Sequence, residues 1–107
     1  MEDHVYPEFL SGFVYVMRGK KGRYKIGHSV NPRKRRSSLS SLVYPVEIIL
    51  LIETHNMIAI ELELHMRFKA KRHLQTEWYH LDKADIALIV REYGGERYVP
   101  GVNPNVP

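Results

Sequence analysis

Cysteine is absent from this chain of 107 residues, which excludes disulfide bonds, thiolate-bound zinc and a cysteine nucleophile. Long apolar runs are absent too, since no stretch approaches the ~18 consecutive apolar residues of a membrane helix. Residues 1–10 have neither the basic start nor the apolar stretch of a signal peptide. We therefore expect a soluble cytoplasmic protein with no membrane partner.

Acidic residues are missing between Glu8 and Glu47, whereas nine of the sixteen Lys and Arg residues lie in that interval. Basic runs are more often a solvated face, but the tyrosines and glycines among these charges favour a surface that binds a polyanion. Nucleic acid, DNA or RNA, is such a polyanion. The residues predicted to bind nucleic acid are Arg23, Arg33, Lys34, Arg36, Lys69, Lys71 and Arg72.

The basic interval itself predicts two strands followed by a helix. Residues 13–17 are β-branched and aromatic, and the two glycines in residues 18–22 suit a hairpin turn. A second short strand covers residues 23–28. Asn31 can then cap a helix that Pro32 opens at its first position. We expect a hairpin that leads directly into a helix.

The second half of the chain adds a strand and two helices. Residues 46–52 are rich in Ile and Val and predict a buried strand at the centre of the sheet. Residues 57–72 fit both a strand and a helix, and their length favours the helix. A short strand is predicted at 77–81, and a last helix should run from a cap at Asp82 to Gly94.

Two residues on the predicted helices are candidates for a site. Arg35 shares a helix face with Leu39 and should emerge where that helix meets the sheet, either holding an anion or pairing with a protein carboxylate. Glu61 lies one turn from His65, and we place it facing a pocket. Glu63 then points to solvent. A surface carboxylate paired with Lys or Arg is the alternative for Glu61.

Several of these residues occur together in a recognisable order. The elements are Phe13-Val14-Tyr15, Lys25-Ile26-Gly27, His28, Arg35, Glu61 with His65, and Glu77-Trp78-Tyr79. This order resembles the GIY-YIG endonuclease superfamily, in its compact phage- and bacterium-associated branch, where a lysine opens the second motif. The resemblance covers about residues 12–93.

The resemblance implies an α+β fold with a small three-stranded antiparallel β-sheet flanked by helices, and the strand at 77–81 as a possible extra one. It also implies the domain organisation. Residues 1–11 would be an N-terminal lead-in, residues 12–94 the nuclease domain, and residues 95–107, with three prolines, a flexible C-terminal tail.

The activity implied is metal-dependent hydrolysis of DNA phosphodiester bonds. Tyr15 would be the general base, its phenol acidified by nearby cations, and Arg35 would hold the scissile phosphate. Glu61 would bind one divalent ion, magnesium or manganese. Lys25 could lower the pKa of Tyr15 or contact phosphate, and His28 could assist proton transfer or bind a phosphate oxygen.

Two other functions stay open. A non-catalytic nucleic-acid-binding module on the same scaffold would explain Lys25 in place of a tyrosine. It would also explain why no residue can be assigned to the asparagine that the superfamily carries after its last helix, since Asn103 and Asn105 lie in the tail. A protein-interaction domain would show no salt-dependent affinity for nucleic acid. If the protein is a nuclease, cutting both strands would call for a homodimer, and a single copy would nick.

Overall fold

The computed structural model describes residues 8–42 and 45–98. Five strands form one antiparallel sheet in the order β4-β2-β1-β3-β5. The strands are β1 (Gly12–Arg18), β2 (Tyr24–Ser29), β3 (Glu47–Thr54), β4 (Trp78–Tyr79) and β5 (Glu96–Arg97). The helices are α1 (Pro32–Leu42), α2 (Met57–Arg67) and α3 (Lys83–Tyr93), and short 3₁₀ turns occur at Glu8–Leu10, Lys20–Gly22 and Lys69–Lys71.

The hairpin and the helix that follows it form as the sequence predicts. The turn between β1 and β2 uses positive φ at Lys21 (59°) and Gly22 (69°), and glycine adopts that conformation without steric cost. Just after β2, the Asn31 side chain accepts a hydrogen bond of 3.1 Å from the Lys34 amide. Pro32 is the first residue of α1. The chain therefore turns sharply from β2 into α1, which keeps the start of α1 close to the hairpin.

Helices cover both faces of the sheet. Two helices, α2 and α3, pack against one face through Leu64, Ile86 and Ile89, which join a cluster with Val14 and Val16. On the opposite face lies α1, whose Leu39 is part of a second cluster, with Tyr15, Met17, Val46, Ile48 and Leu51. The centre of the sheet is β1, paired along its length with β2 and β3. The prediction that residues 46–52 form the centre was wrong, because β3 has only the two-residue β5 on its outer side.

Helix, not strand, is the conformation of the ambiguous segment. The Asn56 side chain caps α2 by accepting a hydrogen bond from the Ala59 amide. The prediction of one helix to residue 72 was too long, since α2 ends at Arg67 and a 3₁₀ turn follows. The last helix is as predicted, with Asp82 in a capping box and Gly94 in the left-handed conformation.

The predicted three-stranded sheet was too small. One added strand, β4, lies inside the predicted segment 77–81. The other, β5, lies in the segment predicted as a flexible tail, where Glu96 and Arg97 pair with β3. The Tyr98 amide then donates a hydrogen bond of 2.9 Å to the Ile49 carbonyl. Backbone hydrogen bonds to a sheet edge leave no hydrophobic pattern, so the sequence could not reveal β5. Three parts of the chain lie outside the described residues: residues 1–7 of the predicted lead-in at 1–11, residues 43–44, and residues 99–107 with Asn103 and Asn105.

None of the helices in the described ranges is both long enough and apolar enough to cross a membrane.

Candidate active site

The five residues that the sequence singled out for catalysis line one open depression at the edge of the sheet. The edge belongs to β2, because β4 pairs with Tyr24 and Lys25 alone, so the outer side of the rest of that strand has no pairing partner among the described residues. We call this depression the candidate site. It is lined by Tyr15, Lys25, Gly27, His28, Arg35, Glu61 and Glu77.

Tyr15 and Gly27 face each other across β1 and β2. The phenol ring lies over Gly27 so closely that a Cβ there would be 2.3 Å from the Tyr15 Oη and 2.5 Å from its Cζ. Tyr15 is only 2% exposed, so the ring is held on its other sides. Glycine is therefore required at position 27 for the phenol to occupy this place.

Burial raises the pKa of the Tyr15 phenol above its ordinary value of 10.0. Arg35 donates a hydrogen bond to the phenol and acts in the opposite direction, while the charges of Glu61 and Glu77 raise the pKa further. The expectation that nearby cations acidify Tyr15 was therefore wrong. The physical reason is that one guanidinium does not outweigh burial and two carboxylates.

Alkaline conditions should destabilise the protein through Tyr15 and Tyr79, whose pKa burial also raises. Both hold their protons in the folded state when the unfolded chain begins to lose them near pH 10, so their contribution is complete below that pH and is lost as pH rises through the folded pKa values. We expect the melting temperature to fall between pH 9 and 11, and to fall less steeply in Tyr15→Phe. An equal fall in both proteins would contradict the raised pKa.

Arg35 lies in the first turns of α1, where the tight connection from β2 brings it back to the hairpin. Its side chain lines the candidate site, but the residue is exposed, not buried at the helix–sheet boundary as the sequence predicted. The difference arises because Leu39 carries the packing of α1 and Arg35 extends beside it. An exposed guanidinium that touches the phenol can also reach an incoming phosphate.

Glu61 enters the site from α2 and is held between two histidines. Its Oε1 contacts the Nδ1 of His28 on β2, and its Oε2 is 3.8 Å from the Nε2 of His65. The side chain is 15% exposed, whereas Glu63 is exposed, as the sequence predicted. Glu61 thus faces the pocket and has no Lys or Arg partner among the described residues.

His65 fastens α2 to the sheet. Its Nε2 lies 2.9 Å from the carbonyl oxygen of Ile26, and since a carbonyl can only accept, this nitrogen carries the proton. Its ring also packs against Tyr79, with centroids 5.4 Å apart. His65 therefore anchors α2 to β2, and its Nε2 is not free to bind a metal ion.

Glu77 is a site residue that sequence reasoning did not assign. It precedes β4, whose Trp78 pairs with Lys25 of β2, and its Oε2 is 3.4 Å from the Nζ of Lys25. The Lys25 side chain is only 9% exposed, and its Nζ lies 5.9 Å from the centre of the Trp78 ring. The sequence analysis named Glu77 in the Glu77-Trp78-Tyr79 motif but gave it no role, since a motif at the start of a predicted strand does not disclose the neighbouring strand.

Two carboxylates and a histidine form a candidate metal centre. Ligand atoms of Glu61, His65 and Glu77 all lie within 4.8 Å of one another. Because the His65 Nε2 is occupied, the donors are mainly carboxylate oxygens, which suit Mg²⁺ or Mn²⁺ better than zinc. Glu77 supplies a second carboxylate where the sequence offered only Glu61.

The residues predicted to bind nucleic acid are in different situations. Arg33, Lys34 and Arg36 are exposed on α1, and Lys69 is exposed after α2. The Lys71 Nζ is paired with carboxylates, 2.5 Å from Asp85 and 3.5 Å from Asp82. Arg72 donates a hydrogen bond to the Thr76 carbonyl. Arg23 is half-buried, and its Nε has no hydrogen-bond partner. The basic surface with uncompensated charge is therefore centred on α1.

Comparison with known proteins corrects the family resemblance. The family model that matches is the T5orf172 domain, over residues 12–94. Neither a curated protein nor a solved structure matches the chain. The identification with the GIY-YIG superfamily was wrong, because it rested on a few residues at short spacings, whereas a family model weighs every position of the domain. Since the match spans about three quarters of the sequence, the chain belongs to the T5orf172 domain family.

Proposed function

We propose that this protein is a metal-dependent endonuclease that hydrolyses phosphodiester bonds of DNA. The observation that carries the proposal is the convergence of a phenol, a guanidinium and two carboxylates on one open depression: Tyr15, Arg35, Glu61 and Glu77. Phosphodiester hydrolysis calls for a base, a cation on the phosphate and stabilisation of the leaving oxygen. These groups supply all three from three different elements.

Glu61 and Glu77 would hold a divalent ion, Mg²⁺ or Mn²⁺, which would supply Lewis-acid stabilisation to the leaving oxygen. As ligands, the two carboxylates would no longer raise the pKa of Tyr15, so a larger fraction of it would be the phenolate that can act as a base. Lys25 would then be free of Glu77 and able to turn its ammonium group towards the phosphate. Arg35 orients the phosphate beside Tyr15, and His28 can assist proton transfer.

A second candidate function is a nucleic-acid-binding module on the same scaffold that does not cleave. Two observations favour it: the pKa of the Tyr15 phenol is raised, and Lys25 is engaged by Glu77. In this case the depression would bind a phosphate through Arg35 without acting on it.

Under the leading proposal, a monomer nicks one strand and a homodimer would cut both.

The pH dependence of cleavage separates these functions. If Tyr15 is the base, the single-turnover rate on a labelled DNA duplex with Mg²⁺ should rise about tenfold per pH unit below the phenol pKa. Tyr15→Phe should lower the rate by about 10²- to 10⁴-fold and flatten the profile. The matched control is Tyr24→Phe, since Tyr24 packs in the core cluster under α2 and α3 and does not line the site.

Retained cleavage in Tyr15→Phe, with an unchanged pH profile, would remove Tyr15 from the role of base. Salt-sensitive DNA binding by the native protein with no cleavage by any divalent ion would establish the binding module.

A further inference from the structure

A second cavity lies on the other side of α1 from the candidate site. It has a volume of about 780 Å³ and opens between α1 and the β3–β5 edge of the sheet. Its lining is Arg33, Arg36, Ser37, Glu47, Ile48, Ile49, Arg97 and Tyr98. We call it the arginine groove. Arg97 and Tyr98 belong to the segment that the sequence assigned to a tail, so they were not among the residues predicted to bind nucleic acid.

The charges in the arginine groove are largely uncompensated. Arg33, Arg36 and Arg97 form no ion pair with a carboxylate in the described part of the chain. The acidic residue of the lining, Glu47, is paired with Arg18. Three guanidinium groups around one cavity repel each other, and an anion placed between them removes that repulsion.

The lining of the groove is partly apolar, and Tyr98 is held in place by the sheet. Tyr98 packs against the cluster under α1, and its amide is fixed by the hydrogen bond of 2.9 Å to the Ile49 carbonyl. An aromatic ring beside guanidinium groups suits a nucleotide, whose sugar or base can lie on the ring while the phosphate meets the arginines.

Helix α1 connects the groove to the candidate site. Arg33 and Arg36 are one turn apart and line the groove, whereas Arg35 lines the site on the other side of the same helix. An α-helix with side chains is about 10–12 Å across, and successive phosphates of one DNA strand advance about 3.4 Å along the axis. A strand that crosses α1 therefore reaches the groove a few nucleotides from the scissile phosphate.

We propose that the arginine groove is a second phosphate-binding subsite, which holds the DNA backbone a few nucleotides from the bond that is cut. The inference rests on the proposed function for the identity of the partner. It adds Arg97 and Tyr98 to the interface, and it defines the path of the DNA strand, which crosses α1 towards β5.

The test is the salt dependence of binding to a 20-base-pair DNA duplex, measured by fluorescence anisotropy in EDTA between 50 and 200 mM salt. Each phosphate contact contributes about 0.9 to the slope of log K against log salt. The triple variant Arg33→Gln, Arg36→Gln, Arg97→Gln should lower that slope by about 2 to 3 and weaken binding at least tenfold. Arg97→Gln alone should lower the slope by about 1. Lys83→Gln, which removes one charge from α3 on the opposite face, is the matched control.

Unchanged affinity and slope in Arg97→Gln, or equal effects in Arg97→Gln and Lys83→Gln, would overturn the subsite whether or not the protein cleaves DNA. Absence of salt-sensitive DNA binding by the native protein would overturn it as well. If the arginine variants show reduced slopes but the native protein cleaves nothing with Mg²⁺ or Mn²⁺, the subsite is supported and the endonuclease is rejected. The failure of one proposal can therefore be told from the failure of the other.

Discussion

Replacing Glu61 by glutamine is expected to lower the rate of Mg²⁺-dependent DNA cleavage at least about 100-fold. The substitution keeps the size of the side chain and a carbonyl oxygen near His28, but it removes the charge that would hold the ion. The Glu61 side chain is largely enclosed between His28 and His65, so its loss would leave Glu77 as the one carboxylate of the proposed metal site. The measurement is the single-turnover rate on a labelled duplex.

Glu63→Gln is the matched control for this experiment. Glu63 is on the same helix, two residues away, and is exposed, so its loss removes the same charge without touching the candidate site. Binding to DNA in EDTA should change little in either variant. A Glu61→Gln protein that cleaves at the native rate, or a Glu63→Gln protein that is equally impaired, would contradict the metal role.

Replacing Gly27 by alanine is expected to disable the site by steric displacement of Tyr15. The new Cβ would lie 2.3 Å from the phenol oxygen, and because Tyr15 is almost fully buried, its ring cannot move without disturbing the core under α1. We expect a loss of about 1–3 kcal/mol in the free energy of unfolding. Cleavage should fall about 100-fold, since a shift of about 1 Å is enough for that.

Gly95→Ala tests whether the effect is specific. A Cβ at Gly95 would meet Ile52 and Ile89 at 3.4 Å and 3.7 Å, which are ordinary contact distances, so stability and cleavage should stay near native values. Unfolding in urea and the single-turnover rate provide the two readouts. A Gly27→Ala protein as stable and active as Gly95→Ala would show that the phenol is not needed where the structure places it.

Local signals in the sequence predicted most of the helices and strands. Asn31 and Pro32 mark the start of α1, Asp82 and Gly94 bound α3, and the composition of the ambiguous segment favours α2. These signals work because caps and turns depend on residues only a few positions apart. The extent of the sheet depends on pairing between distant strands, so β5 was not foreseen and β3 was placed at the centre.

The candidate site, like the fold, was predicted in part. Tyr15, Lys25, Arg35 and Glu61 were singled out and lie around one depression. Glu77 was named in a motif but given no role in the site, because its proximity to Lys25 follows from the pairing of β4 with β2. The direction in which the Tyr15 pKa shifts could not be predicted from the sequence either, since it depends on the balance between burial and the charge of Arg35. Residue types can propose a site, but packing sets its electrostatics.

The most direct test of the endonuclease proposal is cleavage of supercoiled plasmid by the native protein in Mg²⁺ or Mn²⁺ and in EDTA. We predict conversion to nicked or linear DNA with either ion and none in EDTA, while gel shifts in EDTA still show salt-sensitive binding. Intact supercoiled plasmid with both ions, at protein concentrations that saturate binding, would contradict the account and leave a nucleic-acid-binding module.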